Sequence, residues 1–172
     1  MKSPARVSCF APVANSNAKI LILGSMPGQA SLDAQQYYAH PRNAFWPILC
    51  IFLQIPLTTA YTQKLQALKS AHIALWDVLA DCERKSSLDS HIQHDSLQTN
   101  DFINFFATHK KIHTVLLNGS TADQLFRKRV FPELNHPLQL YKMPSTSPAH
   151  ASLNLDEKKL RWTNALRQAL SS

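Results

Sequence analysis

KILILGSMPG, residues 19–28, is the stretch on which the fold turns. Four apolar side chains in a row, Ile20 to Leu23, leave neither face of a strand polar, so both faces must be covered. Gly24 ends the run, and Ser25, Met26, Pro27 and Gly28 make a stiff turn after it. AHIALWDVL (71–79) and IHTVLLNG (112–119) have the same character, and PLQLYKMPS (137–145) is a weaker fourth. Helix-like stretches lie between and around them, at 44–53, at 59–70 with Leu65 and Leu68 on one face, at 100–109 and at 120–129. Residues 156–170 read as a closing amphipathic helix, with Leu160, Ala165, Leu166 and Leu170 inward and Lys158, Lys159, Arg161 and Arg167 outward. Strands that alternate with helices imply right-handed crossovers and hence a parallel sheet. The expected fold is a three-layer α/β/α sandwich with a central four-stranded parallel sheet. A chain of 172 residues closes one sizeable core and is short for two, so a single domain over 1–172 is expected.

Charge and cysteine usage narrow the function. Lys and Arg number 18 against 11 Asp and Glu, a net +7, which favours a polyanionic partner such as nucleic acid. Cys9, Cys50 and Cys82 are odd in number and widely spaced, without a CxxC pair. That argues against a disulfide framework, a zinc ribbon and a four-cysteine iron–sulfur cluster, and suits a reducing cytosol. No apolar run approaches a membrane span, and MKSPARVSCF lacks the apolar stretch of a signal peptide, so a soluble cytoplasmic protein is expected. His91 and His94 with Asp95, and His109 with His113, lack a further ligand at suitable spacing, so no metal is expected.

In a parallel sheet the ligand site lies beyond the carboxyl ends of the strands. The three glycines, Gly24, Gly28 and Gly119, follow the ends of the first and third expected strands. Glycine serves where φ is positive or the backbone must be approached closely, although each of the three also suits a plain strand end or turn. GSMPG is neither GxGxxG nor a phosphate loop with GK[ST], and reads as a backbone platform for a flat group. PSTSPAHAS (144–152) brings Ser145, Thr146 and Ser147 to the same edge. Hydroxyls and N–H groups in a stiff loop suit a phosphodiester; the same composition also describes a linker. QQYYAHPRNAFW (35–46) crowds aromatic rings around a histidine, an arginine and an asparagine.

GSMPG, HPRNAFW and MPSTSPAHAS, in that order, resemble the uracil-DNA glycosylase superfamily, and more narrowly its hypoxanthine-DNA glycosylase (DNA-deoxyinosine glycosylase) branch. The resemblance implies a four-stranded α/β/α sandwich that flips a base out of DNA and hydrolyses its N-glycosidic bond without metal or cofactor. Two departures stand out: Met26 replaces the Asp or Asn with which many members handle the water, and Met143 precedes Pro144 and Ser145 where many have histidine or asparagine. In the hypoxanthine branch the catalytic asparagine resembles the one in HPRN, here Asn43, whose residue type equally suits a helix N-cap before AFWPIL.

The platform Gly24, Ser25, Met26, Pro27 and Gly28, the rings of Tyr38 and Phe45, and the strand-end Asp77 and Asn118 are the expected base-binding residues. Phe45 also suits the core of its helix, and Asp77 and Asn118 also suit turn formation. His40, Arg42, Ser145, Thr146 and Ser147 are expected at the DNA backbone, with Ala149 and His150 filling the vacated stack by analogy. Lys142 is a further phosphate candidate, whereas the RKR of 127–129 suits a solvated helix end. No lysine lies in the motif segments, so a monofunctional glycosylase is expected. The expected partner is DNA containing deaminated bases, met by a monomer without a membrane. Uracil or another deaminated base, or a lesion-binding module without catalysis, are the alternatives.

Overall fold

The computed structural model describes residues 5–84 and 97–172. Its central sheet is four parallel strands in the order β3-β2-β6-β7, formed by β2 (Ile20–Gly24), β3 (Ile73–Asp77), β6 (Thr114–Asn118) and β7 (Gln139–Met143). The helices are α1 (Gln29–Ala34), α2 (Phe45–Leu53), α3 (Tyr61–Ser70), α4 (Phe102–Thr108), α5 (Ser120–Leu125) and α6 (Leu155–Leu170). This is the expected three-layer arrangement, and the unbroken apolar run of β2 is its cause. Ile20 and Ile22 pack with α2, α6 and Leu68 of α3 on one face of the sheet. Leu21 and Leu23 pack with α4 and α5 on the other. Every residue of β2, β3 and β6 is buried, as a doubly covered parallel sheet requires.

Three features depart from the sequence expectation. The run 71–79 is not one strand: β3 ends at Asp77, and after Val78 the chain enters β4 (Leu79–Arg84). β4 pairs antiparallel with β1 (Ala5–Ser8) and β5 (Gln98–Thr99) in a second, three-stranded sheet. Those strands are short and mixed in polarity, so they carry no period of their own. The expected helix at 120–129 is α5 followed by a π-helical turn, Phe126–Val130. That wider turn still buries Phe126 and Val130.

The third departure concerns α6. Its buried stripe is Lys158, Trp162, Leu166 and Ala169, while Leu160 is 62% exposed. Lys158 therefore points inward, against the expectation, and Leu160 outward. Trp162 sets this rotation: it is the largest side chain on the helix, is fully buried, and its indole N–H donates to the Pro144 carbonyl at 2.9 Å. A capping box starts the helix, with Asn154 Oδ1 accepting from Glu157 N–H and Glu157 Oε2 accepting from Asn154 N–H. Among the described residues no helix is long and apolar enough to cross a membrane.

Trp162→Ala is expected to destabilise the protein by about 3–5 kcal/mol. Leu160→Lys, on the opposite face of α6, should stay within about 0.5 kcal/mol of the original stability. Urea unfolding of the two variants measures both, and equal losses would refute the orientation of the helix.

Candidate nucleic-acid and base-binding cleft

The carboxyl ends of β2, β3 and β6, and the segment that follows β7, line one cleft of about 710 Å³. Gly24 ends β2 in register with Asp77 at the end of β3. Asn118 ends β6 in register with Met143 at the end of β7, after which the segment 144–150 returns over the cleft. Of the expected site residues, Gly24, Ser25, Met26, Pro27, Gly28, Tyr38, His40, Arg42, Asn43, Asp77 and Asn118 line this cleft, and so do Ser145, Thr146, Ser147, Ala149 and His150.

Phe45 does not line it, and this corrects the expectation of direct base contact. Its ring is fully buried at the start of α2, stacked behind Tyr38 with centroids 4.0 Å apart and planes 20° apart. Tyr38 is thus backed by Phe45 and, with Phe10 and Tyr37, is one of the rings that line the cleft. Its backbone is left-handed, φ 56°, a conformation that costs a non-glycine residue on the order of 1–2 kcal/mol. Phe45 and the polar contacts of the hydroxyl hold it there.

One of those contacts comes from Asn118, and it revises the role expected for that residue. Asn118 Nδ2 donates to the Tyr38 hydroxyl at 3.1 Å and to Thr146 Oγ1 at 2.9 Å, while its Oδ1 accepts from the Thr146 N–H at 3.0 Å. Both amide hydrogens are therefore committed inside the protein. Thr146 is 1% exposed, and its carbonyl also accepts from the Ala44 N–H at 2.9 Å. Far from standing at a phosphate, the Thr146 side chain is a buried junction between β6, the segment 144–150 and the entry to α2.

The HPRN motif forms a tight turn. Asn43 N–H donates to the His40 carbonyl at 2.9 Å across Pro41, and Arg42 N–H donates to His40 Nδ1 at 3.1 Å. Asn43 Oδ1 accepts from Phe45 N–H at 2.9 Å, so the side chain fastens the start of α2 and lines the cleft at once. The N-cap position of α2 is Ala44, so Asn43 sits one residue before the cap rather than in it, and its bond to Phe45 leaves it lining the cleft.

Two glycines have definite steric reasons. A Cβ on Gly24 would lie 2.6 Å from Asp77 Oδ1 and 2.9 Å from the Tyr38 hydroxyl, so the missing side chain is what lets those two groups converge. Gly119 has φ +96°, and a Cβ there would lie 3.0 Å from Ser145 Cβ. Gly28, by contrast, has an ordinary φ of −76° and simply precedes α1. Met26 is 8% exposed and packs in the core cluster of Leu21 and Leu23, leaving no water-handling group at the third place of GSMPG.

The segment 144–150 is braced by its own hydroxyls. Ser145 Oγ accepts from Ser147 N–H and Ser147 Oγ accepts from Ala149 N–H, each at 3.2 Å. Each hydroxyl keeps its hydrogen to donate. Residues missed by sequence reasoning also line the cleft: Phe10, Ser120 and Thr121 after Gly119, and Gln29 and Ser31 of α1; Tyr37, one of the crowded rings of 35–46, lines it too. Short hydroxyls directly after a strand-ending glycine were the available signal for Ser120 and Thr121.

Lys142 is exposed and outside the cleft lining, and Arg127 pairs with Asp123 at 2.7 Å on the helix surface. His91, His94 and Asp95 lie outside the described residues. His109 Nδ1 meets the Phe105 carbonyl at 2.8 Å, and among the described residues no three metal-binding side chains cluster.

Burial acts on two ionisable groups around the cleft. Chiefly by desolvation, with the Asp77 charge adding, the Tyr37 phenol is pushed above its ordinary range; it donates to the Ala11 carbonyl at 2.9 Å. Desolvation pulls Lys158 below the usual lysine range.

The family model of the Uracil DNA glycosylase superfamily matches residues 11–171. The chain belongs to the uracil-DNA glycosylase superfamily. Among its relatives, a protein of Methanosarcina barkeri named hypoxanthine DNA glycosylase is 36% identical over 116 residues, 67% of this chain and 72% of the relative. One of the same name from Methanosarcina acetivorans is 37% identical over the same shares. A solution NMR structure from Methanosarcina acetivorans, described as a candidate uracil DNA glycosylase, superposes with a TM-score of 0.76 at 30% identity, covering 96% of this chain and 99% of that one.

Gly24→Ala is expected to displace Tyr38 or Asp77 and to lower stability by about 1–3 kcal/mol, read from the urea midpoint. Tyr37 supplies a pH test. Its folded pKa lies above the unfolded value of about 10, so its contribution to stability is complete below that pH and is lost as pH rises further. In a tyrosinate absorbance titration Tyr37 should ionise only together with unfolding, and Tyr37→Phe should remove that late step.

Proposed function

We propose that the chain is a monofunctional DNA glycosylase that extrudes hypoxanthine from DNA and hydrolyses its N-glycosidic bond, leaving an abasic site. It acts in this reading as a monomer and as one domain, on DNA carrying deaminated bases. The observation that carries the proposal is the convergence of Asp77, the Phe45-backed ring of Tyr38 and Asn43 on one cleft at the strand ends, in a chain of this superfamily. Relatives named for hypoxanthine support the choice of base.

Recognition follows from the base edge. Hypoxanthine presents N1–H as a donor, whereas adenine presents a bare N1 acceptor. The buried carboxylate of Asp77, 3% exposed, accepts from the first and repels the second. Tyr38 supplies the stacking face; base–aromatic stacking is worth about 1–3 kcal/mol. With both Asn118 hydrogens committed elsewhere, Asn118 acts by holding Tyr38 and Thr146 in place rather than by reading the base.

Cleavage of the glycosidic bond develops an oxocarbenium-like sugar and an electron-rich leaving base. Such a cation captures water without a strong base, so an amide that orients the water suffices. Asn43 performs this in our reading: one lone pair of Oδ1 takes the Phe45 N–H, and the other accepts from the water. Among the described residues lining the cleft are hydroxyls, amides, imidazoles and a carboxylate, but no lysine amine for a Schiff base.

Uracil is the second reading, because its N3–H presents Asp77 with the same donor. Duplexes containing one deoxyinosine, deoxyuridine or deoxyxanthosine, incubated with the protein and then treated with alkali, decide between them. Strand breaks are expected at deoxyinosine; intact strands there would sink the proposal, and binding without breaks would leave a lesion-binding module. Asn43→Ala should slow single-turnover excision about a hundredfold or more. Asp77→Asn should lower kcat/KM for deoxyinosine by roughly 10- to 100-fold, the value of a hydrogen bond to a charged group.

A further inference from the structure

Lys158 is 5% exposed, on the stripe of α6 that otherwise carries apolar side chains into the core. A leucine at that position would bury without the desolvation that an ammonium suffers. The ammonium does something a leucine cannot: Nζ donates to the His150 carbonyl at 2.7 Å and to the Ser147 carbonyl at 3.3 Å. One turn along the same helix, the Trp162 indole holds the Pro144 carbonyl at 2.9 Å. Both ends of the segment 144–150 are thus fastened from below by donors of a single helix.

The direction of these bonds matters for what the other side presents. In a planar trans peptide the carbonyl and the following N–H point opposite ways. Drawing the His150 carbonyl toward α6 therefore turns the Ala151 N–H away from the helix, on an exposed residue beside the cleft rim. The Ser147 hydroxyl, accepting from Ala149 N–H, keeps its hydrogen as a donor on that rim.

We propose that Lys158 is a positioning residue for the DNA backbone, gathering the Ser147 and His150 carbonyls under the segment 147–151 so that its hydroxyl and N–H donors face the strand before DNA arrives. The inference rests on the glycosylase reading above. A loop ordered in advance loses little conformational freedom on binding, so its effect falls on affinity rather than on the chemical step.

The test compares the original chain with Lys158→Met and Lys158→Arg, using a duplex with a tetrahydrofuran abasic site as the probe. Amide hydrogen exchange at His150, whose N–H donates to the Ser147 carbonyl at 3.0 Å, reports the loop without DNA. In Lys158→Met the His150 amide should exchange about tenfold faster and the abasic duplex should bind about tenfold more weakly, while excision at saturating enzyme changes less than about twofold. Lys158→Arg, which keeps the charge and the donors, should restore binding to within about threefold of the original.

Unchanged exchange overturns the positioning role, and faster exchange with unchanged affinity overturns its link to DNA. Losses that merely follow the folded fraction, read by near-ultraviolet circular dichroism, reduce Lys158 to a packing residue and also overturn it. Should the methionine variant fail to fold, Lys158→Gln is measured in its place against the same outcomes. An original chain that binds no abasic duplex overturns the glycosylase reading itself, whereas normal binding by the original and by Lys158→Met overturns only the role of Lys158.

Discussion

The buried amide of Asn118 is the interaction on which the cleft depends. Its oxygen can face only the Thr146 N–H, which fixes the orientation of the group, and its two hydrogens then fall on Thr146 Oγ1 and the Tyr38 hydroxyl. Three segments far apart in the chain, the end of β6, the serine–proline segment and the YYAHPRN stretch, are joined by one carboxamide. Thr146 extends the junction through its carbonyl to Ala44, the neighbour of Asn43. Leaving a buried polar group of this kind unpaired costs about 1–3 kcal/mol, so the three segments hold one another in a single arrangement.

The sheet supplies the frame for that junction. Because both faces of β2 are apolar, helices cover both, and function is confined to the strand ends where the backbone leaves the sheet. There Gly24 removes a methyl group from between Asp77 and Tyr38, and Tyr38 accepts a left-handed backbone under the ring of Phe45. Polar and aromatic groups approach more closely than ordinary side chains at those places would allow. Close packing and hydrogen bonds at that end of the sheet frame the cleft.

What could be read from the sequence followed from patterns that are local. The apolar runs of β2, β3 and β6 have no solvent face, and the strand-ending glycines mark which edge they share. Motif order then brought Asn43, Asp77 and the serine–proline segment to that edge. What could not be read depends on partners distant in the chain. Thr146 looks like any loop hydroxyl until Asn118 is placed beside it. Lys158 looks like a solvated charge, since charge alone sends lysine outward, and only the packing of Trp162 rotates α6 enough to bring it under the loop. Phe45 and Tyr38 are both aromatic and close in sequence; which one is backing and which one faces the cleft is set by the turn of HPRN between them. The short strands of the second sheet were invisible for a plainer reason, since runs of two to six residues of mixed polarity show no period.

The place of α6 in the chain has a consequence for biosynthesis. It follows every other element in order, yet Trp162 and Lys158 fasten the segment 144–150. A nascent chain can pair β2, β3, β6 and β7 before α6 has left the ribosome, but the rim of the cleft lacks its support until then. The strands can therefore pair before α6 is made, while the rim of the cleft waits for that helix.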